Sequence, residues 1–131
     1  MRFTVDRLDH LVITCSDLER SSAWYQRVLG MERETYGADH RTALKFGGQK
    51  INLQPAAGKI EPYAQSALPG SADLCFVTAV GTDEIINHLR NCEIMIELGP
   101  VGRQGALGPM TSIYCRDPDG NLIEISSYLA N

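Results

Sequence analysis

Apolar and polar residues alternate along Arg7-Leu-Asp-His-Leu-Val-Ile-Thr14, which predicts a strand with Leu8, His10 and Val12 on one face. From Leu18 the spacing turns helical. Leu18, Trp24, Tyr25, Val28 and Leu29 fall on one side, Gly30 ends the run, and Ser16-Asp-Leu-Glu19 in front of it reads as a capping box. Three short strands are expected next, over 31–36, 42–46 and 50–54, separated by turns at Gly37-Ala-Asp39 and Gly47-Gly-Gln49. Residues 55–70 carry Pro55, Gly58, Pro62, Pro69 and Gly70 and predict a linker.

The pattern then restarts. A strand is expected over 71–78, then a helix capped by Thr82 with Ile85, Ile86, Leu89 and Cys92 on one face. A strand over 94–98 and a long glycine-rich loop over 99–109 follow. The chain closes on a hairpin, Met110–Cys115 and Leu122–Ser126, turned by Asp117-Pro-Asp-Gly120. The order is strand, helix, three strands, written twice. Two βαβββ units of about 55–60 residues each are small to stand alone, so a single α+β domain over 1–131 is expected. Its modules cover about 5–54 and about 71–128, with the linker between them.

Overlaying the halves brings His10-Leu-Val-Ile13 onto Asp73-Leu-Cys-Phe76, and Ile51-Asn-Leu53 onto Ile123-Glu-Ile125. Four polar side chains thus interrupt apolar strands at matched places: His10, Asn52, Asp73 and Glu124. A carboxylate inside an apolar strand must stay wet, be paired or bind a cation. Imidazole, carboxylate and amide oxygens are also the donors that a divalent cation takes.

Composition narrows the class. Hydrophobic residues make up 44% and charged ones 21%, as in soluble globular chains. A net charge of −4, with no basic stripe, argues against nucleic acid or an anionic membrane as partner. No apolar run approaches spanning length and no signal peptide opens the chain. Cys15, Cys75, Cys92 and Cys115 form no Cys-x-x-Cys pair and read as buried free thiols, which favours the cytoplasm.

Three stretches carry a resemblance: Leu8-Asp-His-Leu-Val-Ile13, Asp17–Met31 and Ser112–Glu124, the last containing Arg-Asp-Pro-Asp-Gly-Asn121. The chain resembles the vicinal oxygen chelate superfamily, which includes glyoxalase I, methylmalonyl-CoA epimerase, extradiol dioxygenases, and the fosfomycin- and bleomycin-resistance proteins. It is most similar to glyoxalase-domain proteins of the lactoylglutathione-lyase-like type. The resemblance implies paired βαβββ modules forming a cupped mixed sheet around a divalent metal. His10 matches the first metal ligand and Glu124 the last. The other two positions fall at Asn52, or Gln54 if the register slips by two, and at Asp73. Asp73 stands where glyoxalase I and the epimerases usually carry His. One imidazole among oxygens suits Mn²⁺, Mg²⁺ or Fe²⁺ better than Zn²⁺, with Ni²⁺ also in the family's range.

The activity this implies is that of a metal-dependent lyase or isomerase acting on a small oxygen-rich substrate, with Glu124 or Asp73 moving the proton. Arg103, in the loop before the hairpin, and Tyr114 resemble, together with Ser112 and Arg116, the substrate-binding segment of fosfomycin-resistance members, and would grip an anionic group. Two alternatives stay open: a metal-dependent thiol transferase of fosfomycin-resistance type, and a metal-free binding protein of bleomycin-resistance type. The superfamily's habit of completing its cup between chains implies a homodimer.

Overall fold

The computed structural model describes residues 1–129; Ala130 and Asn131, the end of the expected domain, lie outside them. The chain divides into two compact units, Met1–Ala67 and Leu68–Asn131. Each builds one four-stranded sheet from strand, helix and three strands, as the repeated pattern predicts.

In the first unit the elements are β1 (His10–Cys15), α1 (Leu18–Leu29), β2 (Glu32–Tyr36), β3 (Arg41–Phe46) and β4 (Gln49–Pro55). The sheet order is β1-β4-β3-β2, with β1 parallel to β4 and the other pairs antiparallel. Alternation sends Ile13, Leu44, Ile51 and Leu53 into the core under α1, which adds Tyr25, Val28 and Trp24. Trp24 and Tyr25 meet edge to face with ring centroids 4.9 Å apart. Gly30 stops the helix at φ 66°, and its amide bonds Tyr25 O, as the expected left-handed C-cap. The linker region opens with a short 3₁₀ turn, Ala56–Gly58.

In the second unit the elements are β5 (Asp73–Val77), α2 (Thr82–Asn91), β6 (Leu98–Gly105), β7 (Gly108–Arg116) and β8 (Leu122–Ser127). The order β5-β8-β7-β6 repeats the first sheet, again with one parallel pair, β5 on β8. Ile113, Cys115, Ile123 and Ile125 fill the core with Ile85 and Leu89 of α2. The registers show the internal match. His10 pairs with Lys50 and Val12 with Asn52 in one sheet; Asp73 pairs with Leu122 and Cys75 with Glu124 in the other.

Several expectations are corrected. The first helix is capped by Asp17, whose Oδ1 accepts the Arg20 amide at 3.0 Å, so Ser16 and Glu19 form no capping box. Asp17 takes the extended cap conformation and sits one residue nearer the first turn. Thr82 is the first residue of α2; its N-cap is Gly81, with no side-chain cap bond. No strand covers 94–97, and residues 99–105 are strand rather than loop. Glycine and proline hide this strand from propensity rules, but β6 is an outer strand, where a missing donor is tolerated. A register shift between Leu98 and Val101 absorbs Gly99 and Pro100. A Cβ on Gly99 would stand 2.6 Å from Ser112 O, so only glycine allows β6 to approach β7 there. The cysteines are free, but only Cys15 and Cys115 are buried; Cys75 is exposed and Cys92 half-buried.

Candidate functional site

The polar positions at issue all lie on the sheet faces turned away from the helices. In the first unit His10, Val12 and Thr14 alternate with core residues on β1, and Lys50, Asn52 and Gln54 do so on β4. His10 is exposed, and its Nδ1 lies 2.9 Å from Asp9 Oδ1. A carboxylate there favours the tautomer with the proton on Nδ1 and leaves Nε2 as the acceptor, the arrangement of a ligating imidazole. The adjacent Asp9 carboxyl is held below its ordinary range by that bond.

Asn52 and Gln54 differ sharply. Gln54 is buried and both ends of its amide are used: Nε2 donates to Thr14 Oγ1 at 3.0 Å, and Oε1 accepts the Ile60 amide at 3.3 Å. Asn52 Oδ1 is buried and accepts nothing, the one such side-chain atom among the described residues. An orphaned amide oxygen costs about 1–3 kcal/mol of desolvation and calls for an occupant. Lys50, beside His10 in the register, rests its Nζ 3.9 Å from the Tyr36 ring centroid. The other cations of the first hairpin are neutralised, Arg41 by Asp39 and Lys45 by Glu34.

In the second unit Asp73, Cys75 and Val77 share a face with Glu124 and Ser126. Glu124 is half-buried. It accepts a long bond, 3.4 Å, from Ser126 Oγ, the Cys75 thiol is a second partner, and no cation pairs with it among the described residues. Ser126 Oγ also meets Ser112 Oγ at 2.7 Å and Cys75 Sγ at 3.2 Å. Partial desolvation, with Glu124 and Asp73 nearby, pushes up the thiol of the otherwise exposed Cys75. Alternation from Asp73 places Cys75 on this open face, against the expectation of a buried thiol.

Tyr114 lies across from Glu124 on β7. Arg103, on β6 rather than in a loop, donates from Nε to the Tyr114 hydroxyl at 2.9 Å and from a terminal nitrogen to Gly102 O at 3.1 Å. Its guanidinium carbon is 5.4 Å from the Tyr114 ring centroid, and no carboxylate among the described residues pairs with it. The Tyr114 oxygen already accepts, so its own proton is left to donate. Arg116, grouped with them by resemblance, is committed elsewhere. Two of its nitrogens grip Glu97 at 2.9 and 3.0 Å and a third bond goes to Gly120 O.

Each unit therefore brings two of the expected donors to one face, His10 with Asn52 and Asp73 with Glu124. Within neither unit do three or more His, Cys, Asp or Glu side chains gather into a metal-holding group among the described residues. No helix among them is long and apolar enough to cross a membrane.

A family model described as the Glyoxalase/Bleomycin resistance protein/Dioxygenase superfamily matches residues 7–125, and the chain belongs to that superfamily. The Glyoxalase domain-containing protein RDO1 of Mycosarcoma maydis is 49% identical over 127 residues, covering 97% of this chain and 71% of that protein. The virulence protein STM3117 of Salmonella typhimurium is 46% identical over 129 residues, covering 98% and 89%. The solved structure of an integron cassette protein from V. cholerae superposes with a TM-score of 0.95 at 46% identity, covering 98% of this chain and all of that one.

Proposed function

We propose that this chain is a divalent-metal-dependent lyase or isomerase of glyoxalase type acting on a small oxygen-rich molecule. The observation that carries the reading is Asn52 Oδ1, a buried acceptor without a donor on the same face as His10. The donor set is His10, Asn52, Asp73 and Glu124, one imidazole and three oxygen ligands, a chemistry that fits Mn²⁺, Fe²⁺ or Mg²⁺. When bound, the ion supplies Lewis-acid polarisation of two neighbouring substrate oxygens, worth several kcal/mol in a dry site.

The remaining work falls to the chain's own side chains. Glu124 is the base: paired with no side-chain cation, its carboxylate would leave the ion or sit beside it to take a proton and return it at the neighbouring carbon. Asp73, on the adjacent strand, is the other carboxylate able to do this. Arg103 and Tyr114 bind and orient an anionic group of the substrate through the remaining guanidinium hydrogens and the phenol proton. The working protein is a homodimer of this chain.

The purified chain should carry about one divalent ion, by the chelation chemistry above. Elemental analysis and Mn²⁺ titration should show that ion lost in His10→Ala and Glu124→Ala. Asn52→Leu should bind Mn²⁺ poorly yet stabilise the metal-free chain by about 1 kcal/mol, because it removes a buried orphan. A hemithioacetal should turn over, and an epoxide with a thiol should not. The reverse makes the chain a thiol transferase of fosfomycin-resistance type. A preparation that stays metal-free under Mn²⁺, Ni²⁺ and Fe²⁺ is a small-molecule binding protein instead.

A further inference from the structure

His10 and Asp73 share an awkward placement: each is the first residue of an outer strand, β1 in one sheet and β5 in the other. Such a residue has a sheet neighbour on one side only, and strand ends open more readily than strand centres. A donor there needs something to hold the chain as it enters the strand.

Both units supply it from an equivalent position. Gln49 and Asn121 each stand three residues before the second donor of their sheet, Asn52 and Glu124. Gln49 Nε2 donates across to Leu8 O at 3.0 Å, two residues ahead of His10. Asn121 Oδ1 accepts the amide of Ala72, immediately ahead of Asp73, at 2.8 Å. One tether donates to a carbonyl and the other accepts from an N–H, so what the units share is the place of the tether rather than its chemistry.

The second is the more deeply built. Asn121 is buried. Its Nδ2 donates to Asp117 Oδ2 at 2.6 Å, and its backbone amide donates to Asp117 Oδ1 at 2.9 Å. The Asp117–Asn121 turn thus fixes an amide whose far end holds β5.

We propose that Gln49 and Asn121 are paired positioning residues that set where His10 and Asp73 enter their sheets, on the same faces as Asn52 and Glu124 and two residues along in register. The inference rests on the metal reading above and assigns neither residue any contact with the ion. Outer groups that orient ligands typically change metal affinity by about 10–100-fold when removed.

Gln49 is the better probe, because it is half-buried and its loss leaves the core intact. In Gln49→Ala the Mn²⁺ dissociation constant should rise about tenfold with the thermal midpoint unchanged. Gln49→Lys, which keeps an N–H donor for Leu8 O, should recover most of the affinity. In the metal-free protein, amide hydrogen exchange in Gln49→Ala should quicken at the start of β1 and nowhere else. For Asn121→Ala, exchange should quicken at Ala72 and the first residues of β5. A wild-type chain that takes up no Mn²⁺ sinks the metal reading and this inference with it. A wild-type chain that binds Mn²⁺, with Gln49→Ala binding equally well or losing affinity only in step with a global drop in stability, overturns the positioning role alone.

Discussion

In Met1–Ala67 the turn into the last strand is made by Gly47 and Gly48, at φ 49° and 75°, with no side chain involved. In Leu68–Asn131 the equivalent turn is made by Asp117, whose buried carboxylate accepts the amides of Asp119 and Asn121, both at 2.9 Å. One turn relies on glycine's access to positive φ, the other on a side chain that mimics a backbone acceptor. Both deliver the last strand parallel to the first and antiparallel to the third. The topology is therefore set by the alternating core positions and their pairing, and turn chemistry is free to vary on it. The polar side chains at the matched positions vary in the same way: an imidazole and an amide in one unit, two carboxylates in the other.

The widest test of that equivalence is in the cores. Ile51 and Ile123 occupy corresponding positions and both are fully buried. Truncating either to Ala should cost about 3 kcal/mol, within the usual range for a buried isoleucine. Trp24 is the single tryptophan and lies in the first unit, so its fluorescence in urea reports Ile51→Ala, while circular dichroism follows Ile123→Ala. Equal losses mean that the two halves are energetic as well as topological copies. A loss much smaller in one identifies the unit whose core is the looser.

A smaller difference lies at the helix starts. Asp17 caps α1 through its side chain and Gly81 leaves α2 uncapped. Asp17→Ala should lower stability by about 1 kcal/mol, and Gly81→Asp should raise it by a few tenths, since Gly81 already holds an extended cap conformation. If Asp17→Ala proves silent, the cap is decorative and α1 is held by its packed face alone.

How much of this could be read from residues follows from where the period is strict. Both helices, the strands with clean alternation and the matched interruptions at His10, Asn52, Asp73 and Glu124 were legible because a two-residue period leaves one register that buries the apolar set. The outer strand β6 was not, because Gly99, Pro100, Gly102 and Gly105 erase the period and only pairing with β7 makes it a strand. The cap falls on Asp17 rather than Ser16, one residue from the expected place, because both residues suit the role and only backbone angles separate them. The turn motif showed in the sequence, but the burial of Asp117 and Asn121 did not, since polar turn residues are ordinarily exposed. That Asn52 rather than Gln54 keeps an unused oxygen depends on Ile60 and Thr14, which reach Gln54 only in the folded unit.

The smallest expected effect separates the units by pH. Each carries one two-pronged ion pair: Arg33 with Glu19 at 2.6 and 2.8 Å, and Arg116 with Glu97 at 2.9 and 3.0 Å. The hydrogen bonds from each arginine, more than its charge, hold the carboxyl below the ordinary glutamate value of 4.5. A depressed folded value means that the unfolded chain binds the proton first. The stabilisation is therefore present above about pH 4.5 and is lost as pH falls through the folded value. Both carboxylates are exposed, so the effect is small and fades in salt. Glu19→Gln and Glu97→Gln should each flatten the fall in urea midpoint below pH 4.5 at low ionic strength, and hardly change it in 1 M salt. Arg116 also bonds Gly120 O, so it is already held in place by the turn. The Glu97→Gln effect should be the larger of the two, and the reverse order would mean that the pre-positioned arginine adds nothing.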